Sequence, residues 1–260
     1  MNSNNKINYA CPKCKKLLNL DSHALFCHVC EQDYPFVDGI PDFVKETVSS
    51  ESNPLLNMAK KMDLLAAIYE SKIWYQFVLK MAGAKNSTMA SILNFHSESL
   101  QNVHGAIMDV ACGTATYGRC LVSQTRDVYG IDISMGMLNK GQYYIERDRI
   151  SDVHLSRASV NALPFADETF DGAICSGSLH LFPDTFVALR EIARTLKTGA
   201  PLSIQTFIAG NSIVARVLKT RSWAHIHPLT ELMELLMLAG FHNTKYTLDG
   251  STVLTIQALK

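Results

Sequence analysis

Two stretches, Ala106-Ile-Met-Asp-Val-Ala-Cys-Gly-Thr-Ala-Thr-Tyr-Gly118 and Asp127-Val-Tyr-Gly-Ile-Asp132, set the architecture of this chain. Ala106 to Val110 is a short apolar run suited to a buried strand, and it enters a turn of small residues. A helix follows through Arg119 to Ser123, and Asp127 to Asp132 reads as a second strand ending in an acid. Downstream, strands fit at 152–156, 171–176, 200–207, 244–248 and 252–258, with helices at 134–147, 184–197 and 229–239. Such alternation predicts an α/β domain, a mostly parallel sheet covered by helices on both faces. Upstream, Leu64, Leu65, Ile68, Trp74, Phe77 and Val78 recur at helical spacing, so 54–100 is expected to be helical.

The small residues of the turn let backbone approach a ligand closely. Asp132 follows Gly113 by nineteen residues, a placement suited to accepting two ribose hydroxyls. That logic serves a nicotinamide dinucleotide and S-adenosylmethionine alike. A dinucleotide site asks for Gly-x-Gly-x-x-Gly, to admit a pyrophosphate. Here alanines, Ala111 and Ala115, stand in two of the glycine places.

The N-terminus carries a different chemistry. Cys11-Pro-Lys-Cys14 and Cys27-His-Val-Cys30 are separated by twelve residues. Two such turns place four thiolates around one tetrahedron, the donor set of a structural zinc ribbon. About forty residues build too small a core alone, and a metal staples such a module. Tyr34 to Phe43 reads as a strand, a turn at Asp38-Gly39 and an exit, and Lys45 to Asn53 as a polar linker. The expected organisation is a ribbon over 1–45, a helical preface over 46–100 and the α/β domain over 101–260, with a lid insertion near 208–228.

Composition limits the alternatives. The chain has 260 residues, 47% of them hydrophobic, enough for a sizeable core. No apolar run reaches the ~18 residues of a membrane span, and the polar start is unlike a secretion signal. With an odd count of seven cysteines, a disulfide framework is not expected, which points to a reducing, cytoplasmic compartment. Acidic and basic side chains balance at 24 each, against a protein that mainly grips phosphates. The ribbon also balances, Lys6, Lys13, Lys15 and Lys16 against Asp21, Glu31, Asp33 and Asp38.

Asp109-Val-Ala-Cys-Gly-Thr-Ala115 resembles the first motif of class I S-adenosylmethionine-dependent methyltransferases. Gly130-Ile-Asp-Ile-Ser-Met-Gly-Met-Leu138, Ser159-Val-Asn-Ala-Leu-Pro-Phe165 with Phe170-Asp-Gly-Ala-Ile-Cys175, and Ala188 to Gly199 agree with that family in order and spacing. The nearest branch is the ubiquinone/menaquinone type, and within it the bacterial and plant chloroplast members led by a zinc ribbon. Their pre-domain motif is echoed by Ile68-Tyr-Glu-Ser-Lys-Ile-Trp74. The resemblance implies a Rossmann-like, doubly wound, seven-stranded sheet. It implies that Ala111, Cys112, Gly113 and Thr114 face the methionine part of the cofactor, with Asp109 holding its amino group. Asp132 takes the ribose, Ile133 and Met137 sandwich the adenine, and Ser159 and Val160 face its edge. Ser176 and Gly177 close the methionine end, and Tyr69 covers the cofactor. Ser159 departs from the acid usual in the family.

Methyl transfer rests mostly on proximity, and a base matters only for a protonated acceptor. His180, near the end of the fourth strand, is the candidate base, against the blander reading of a packing residue. Tyr75, Tyr117, Phe207, His225 and His227 are candidates for an acceptor pocket. The apolar insertion, from Ile208 through Ile213 and Val217 to Trp223, suits a small aromatic or lipid-like acceptor. Two other readings compete. One is an RNA base methyltransferase using the ribbon to hold RNA, with Arg216, Lys219 and Arg221 as its basic run. The other is a non-catalytic scaffold that binds S-adenosylmethionine.

Overall fold

The computed structural model describes residues 7–21, 23–44, 71–210, 213–220 and 224–260. Four short strands form the N-terminal sheet: β1 (Asn19–Asp21), β2 (Ala24–Cys27), β3 (Gln32–Val37) and β4 (Ile40–Pro41), paired in that order and antiparallel. Helices α1 (Lys72–Met81) and α2 (Met89–Ser99) precede the main sheet. That sheet follows as β5 (Gly105–Val110), α3 (Thr116–Leu121), β6 (Arg126–Asp132), α4 (Met135–Arg147), β7 (Val153–Arg157) and β8 (Gly172–Ser176). It continues through α5 (Thr185–Thr195), β9 (Pro201–Phe207), α6 (Ile213–Lys219), α7 (Leu229–Leu238), β10 (His242–Asp249) and β11 (Val253–Leu259). Its seven strands lie in the order β10-β11-β9-β8-β5-β6-β7. The β9, β8, β5, β6 and β7 neighbours pair in parallel, and the last hairpin adds β11 and β10 antiparallel.

Each expected strand is present, and two of the helices downstream of Ala106 start at a side-chain cap. Ser134 caps α4 by accepting the Met137 N–H at 3.1 Å, and Asp184 caps α5 by accepting that of Val187 at 3.0 Å. In the upstream segment, Thr88 and Ser91 form a reciprocal capping box on α2. The part of the expected helical preface over 54–70 lies outside the described residues.

Strand alternation assigns the two faces. Ile107, Val128, Leu155 and Ile174 join one buried cluster with Leu79, Ile92, Leu121, Leu138 and Ile145 of α1 to α4. Met108, Tyr129, Ile131, Ala173 and Ile204 point the other way, toward Leu189 and Ile192 of α5 and Leu232 and Leu236 of α7. This second cluster also takes in Leu18, Leu25, Tyr34 and Phe43 of the ribbon. The ribbon thus covers part of a sheet face where a helix would otherwise sit. Phe165 and Phe170, fully buried with ring centroids 4.8 Å apart, join the two modules, and Tyr9 stacks on Phe165 at 5.6 Å. No helix among the described residues is long and apolar enough to cross a membrane.

Candidate active site

The turn after β5 runs through Ala111, Gly113 and Ala115 with φ of 53°, 57° and 57°. Gly113 adopts this left-handed geometry freely, whereas each alanine carries about 1–2 kcal/mol of strain. Hydrogen bonds hold the turn in place. The Cys112 N–H donates to Ile131 O at 2.9 Å, and the Gly113 N–H to Asp132 Oδ2 at 2.8 Å. Asp132 Oδ1 accepts the Ser134 N–H at 2.8 Å, so both carboxylate oxygens are fixed at the end of β6. Asp109 is buried beside them and accepts the Gly118 N–H at 3.1 Å. Burial pushes its carboxyl up to about 7, and the Gly118 N–H opposes that shift.

Helix α4 packs against the turn from behind. A Cβ on Gly141 would lie 2.9 Å from Thr114 O and 3.0 Å from the carbonyl carbon. Because backbone is what blocks it, Gly141→Val is expected to displace the turn. The predicted result is a stability loss of about 1–3 kcal/mol in denaturant unfolding. Binding of a ligand seated on the turn should weaken about tenfold. Wild-type affinity in this variant would show that the turn does not shape the site.

Two hollows open at the strand ends, where ligands gather in such sheets. The first encloses about 650 Å³ including its mouth. Ala111, Gly113, Asp132, Ile133, Met137, Ala158, Ser159, Val160 and Gly177 are among the residues that line it. The second, about 410 Å³, is lined by Asp109, Ala111, Cys112, Ser176 and Gly177 with Tyr75 and Tyr117. Ala111 and Gly177 belong to both. Tyr75 and Tyr117 bring their hydroxyl oxygens to 2.6 Å. Burial raises the Tyr75 phenol and the Cys112 thiol well above their ordinary ranges, so both are protonated at neutral pH.

The candidates divide. Thr114 is buried with its hydroxyl 3.0 Å from that of Thr116 and lines neither hollow. His180 also lies outside both linings, contrary to its expected role as a base. The short 3-10 turn Leu179–Leu181 sends Leu181 and Phe182 into the first hollow and the imidazole inward. There Nδ1 lies 3.4 Å from Thr206 Oγ1 and the ring packs on Phe207, 5.0 Å between centroids. Burial lowers its pKa to about 4, so the ring stays neutral. Phe207, itself buried, serves that packing and lines neither hollow. His227 bridges Thr185 and Glu231, at 2.9 Å each, and His225 donates its backbone N–H to His180 O at 2.7 Å. Neither histidine lines either hollow; the backbone of His227 instead accepts the Ala209 N–H at 2.9 Å. Tyr69, Arg221 and Trp223 lie outside the described residues.

Sequence reasoning missed Ser178, Leu181, Phe182, Pro183 and Ala158 in the first hollow and Met89 and Thr116 in the second. The loop after the fourth parallel strand was a usable signal for the first four. Met89, at the start of α2, carries none.

At the ribbon the four sulfurs converge, all within 4.8 Å of one another. Cys11 and Cys30 are 3.9 Å apart and Cys14 and Cys27 3.5 Å. A tetrahedron with Zn–S of about 2.3 Å has sulfur–sulfur edges of about 3.8 Å, whereas a disulfide needs about 2.05 Å. The donor set and its spacing fit zinc.

An acid closing the second parallel strand beneath a small-residue turn, with the pocket at the strand ends, defines a Rossmann-like nucleoside-binding domain. Residues 107–199 match the methyltransferase-domain family. The chain carries a class I S-adenosylmethionine-dependent methyltransferase domain, homologous to demethylmenaquinone methyltransferases. The demethylmenaquinone methyltransferase of Staphylococcus aureus (strain JH9) is 32% identical over 149 residues, 55% of this chain and 54% of that protein. That of Halalkalibacterium halodurans is 39% identical over 95 residues, 35% of this chain and 39% of that protein. The chain thus spans about half the length of these relatives, or less. Among solved structures, the 4+2 cyclase SpnF has a TM-score of 0.67 at 17% identity, over 79% of this chain and 96% of its own. Haemonchus contortus phosphoethanolamine N-methyltransferase 2, in complex with S-adenosyl-L-methionine, has a TM-score of 0.63 at 13% identity, over 88% and 62%. These two likenesses show the fold, and a cyclase among them means that fold alone does not select the reaction.

Proposed function

We propose that the chain methylates a small, aromatic or lipid-like acceptor, at oxygen, carbon or nitrogen, with S-adenosylmethionine as donor. The observation that carries this reading is the pair of hollows meeting at Ala111 and Gly177 beneath Asp109 and Asp132. Ser176 adds support: its Oγ is buried without a hydrogen-bond partner, an atom a bound ligand would satisfy. When bound, S-adenosylmethionine supplies a methyl group on an already activated sulfonium. The chain's part is to hold and orient. Asp132 would take the ribose hydroxyls, Ile133 and Met137 the adenine faces, and Val160 with Ser159 the adenine edge. Asp109, Ala111, Cys112 and Gly113 would hold the methionine end. Tyr75 and Tyr117 would present their hydroxyl pair to the acceptor side, in a hollow otherwise lined by Asp109 and by small or apolar groups. The four cysteines would hold zinc structurally, since four thiolates leave no open coordination position.

Among the described ribbon residues, one basic side chain is already committed within the chain. Lys15 spends its charge on Glu191 at 2.7 Å rather than presenting it to a phosphate. Incubation with S-adenosylmethionine and a panel of quinols and phenols, read by mass spectrometry, tests the reading. A product heavier by one methyl group supports it. Tight cofactor binding with no transfer to quinols, phenols or RNA favours the scaffold.

The acidity of Asp109 adds a pH prediction. Its pKa rises from 3.8 to about 7 on folding, so between those values the folded state holds a proton the unfolded state has released. The stability it contributes is full below about 4 and is lost as pH rises toward about 7. A cationic amino group beside it selects the ionised form. Affinity for S-adenosylhomocysteine is therefore expected to fall as pH drops below about 7, approaching tenfold per unit. In Asp109→Asn this dependence should flatten. Equal pH profiles for the two proteins would remove Asp109 from the amino-group role.

A further inference from the structure

The segment 157–165 links the end of β7 to the ribbon-facing Phe165. Its early residues, Ala158, Ser159 and Val160, form one wall of the first hollow. The ribbon holds this segment at both ends. At the first end the Phe43 N–H donates to Arg157 O at 2.8 Å, and Arg157 Nη1 donates to Asp42 Oδ2 at 3.0 Å. Both side chains of that ion pair are only 11% exposed. The same guanidinium donates from Nε to Ile133 O at 3.0 Å, the backbone of another residue that lines the hollow. At the second end the Ala10 N–H donates to Pro164 O at 2.9 Å. Lys15 Nζ meets Glu191 Oε2 at 2.7 Å, and that oxygen also accepts the Leu163 N–H at 2.8 Å. Lys15 sits in the thiol-bearing turn itself, its N–H donating to Cys11 O at 2.9 Å.

We propose that the ribbon braces the adenine-side wall of the cofactor cleft, with Asp42 and Lys15 as positioning residues acting through Arg157 and Glu191. The proposal rests on the reading of the first hollow as the S-adenosylmethionine site. Its physical basis is preorganisation: a wall anchored at both ends needs little further ordering when the ligand arrives. A shielded ion pair suits the task, since it specifies geometry more than it adds stability. The geometry makes the zinc ribbon part of the binding site without a ribbon atom lining the hollow.

The test is calorimetric titration of the zinc-loaded full chain with S-adenosylhomocysteine, alongside melting temperature and amide hydrogen exchange over 158–162. Variants are Asp42→Asn, Lys15→Met and, as a stability control on β11, Ile256→Val. Asp42→Asn and Lys15→Met are expected to weaken binding about tenfold each and to speed exchange over 158–162. Ile256→Val should lower the melting temperature and bind as wild type does. Lys15 is 29% exposed at its side chain, so its variant keeps the measurement available if Asp42→Asn fails to fold. Unchanged affinity in a folded Asp42→Asn or Lys15→Met protein overturns the brace. Absence of binding by the wild type itself overturns the cofactor reading and the brace with it.

Discussion

Asp132→Ala is expected to weaken S-adenosylhomocysteine binding by about 100-fold or more. Hydrogen bonds to a charged partner contribute about 1.5–3 kcal/mol each, and two ribose hydroxyls would converge on this one carboxylate. The loss is compounded from within the chain. Asp132 also accepts the Gly113 and Ser134 N–H groups, so its removal leaves the turn and the start of α4 without their shared anchor. Asp132→Asn separates the two contributions. It keeps the shape and one acceptor oxygen but lacks the charge, so its affinity should fall between those of wild type and alanine. Calorimetric titration at neutral pH reads all three proteins. An alanine variant within a few-fold of wild type would mean that the ribose is not bound here.

The second large effect is expected at the metal. Cys27→Ser should lose a stoichiometric zinc and cost about 4 kcal/mol of stability, below the roughly 10–16 kcal/mol of zinc binding in isolated finger peptides because packing on the main sheet also supports the ribbon. At about 2–4 °C per kcal/mol for a chain of this size class, the melting temperature should fall by about 8–16 °C. The effect would reach beyond the ribbon, because Leu18, Leu25, Tyr34 and Phe43 share a buried cluster with Met108, Ile131 and Phe165 of the main sheet. A freely tethered ribbon would unfold alone and leave the main transition in place. Metal analysis with differential scanning calorimetry distinguishes these cases. A full zinc complement in the variant, or an unshifted main transition, would overturn the expectation.

Much of the candidate site was legible because its residues follow directly from strand ends. Asp109, Ala111, Gly113, Asp132, Ile133, Met137, Ser159, Val160 and Gly177 stand just after or beside parallel strands, and the structure brings them around one pair of hollows. The cysteine quartet was equally legible, since the spacing of two short knuckles carries its own geometry. His180 was not. Its position beyond β8 suggested the cleft, but one 3-10 turn rotates successive side chains by about 120°, which buries the imidazole and turns Leu181 inward. His227 is taken up by its contact with Thr185 of α5, and His225 is exposed, with only its backbone N–H reaching the turn beside the cleft.

The sequence by itself determined the strand and helix order, the parallel core, the small-residue turn with its acid, and the four-thiol knuckles. Those features rest on local periodicity and on short-range spacing, both written along the chain. Tertiary structure alone decided that the ribbon covers a sheet face, that Arg157 ties Asp42 to the backbone of Ile133, and that Tyr75 meets Tyr117 across forty-two residues. Such pairings depend on which surfaces are close after folding, and no periodicity in one segment records the partner that a distant segment will bring to it.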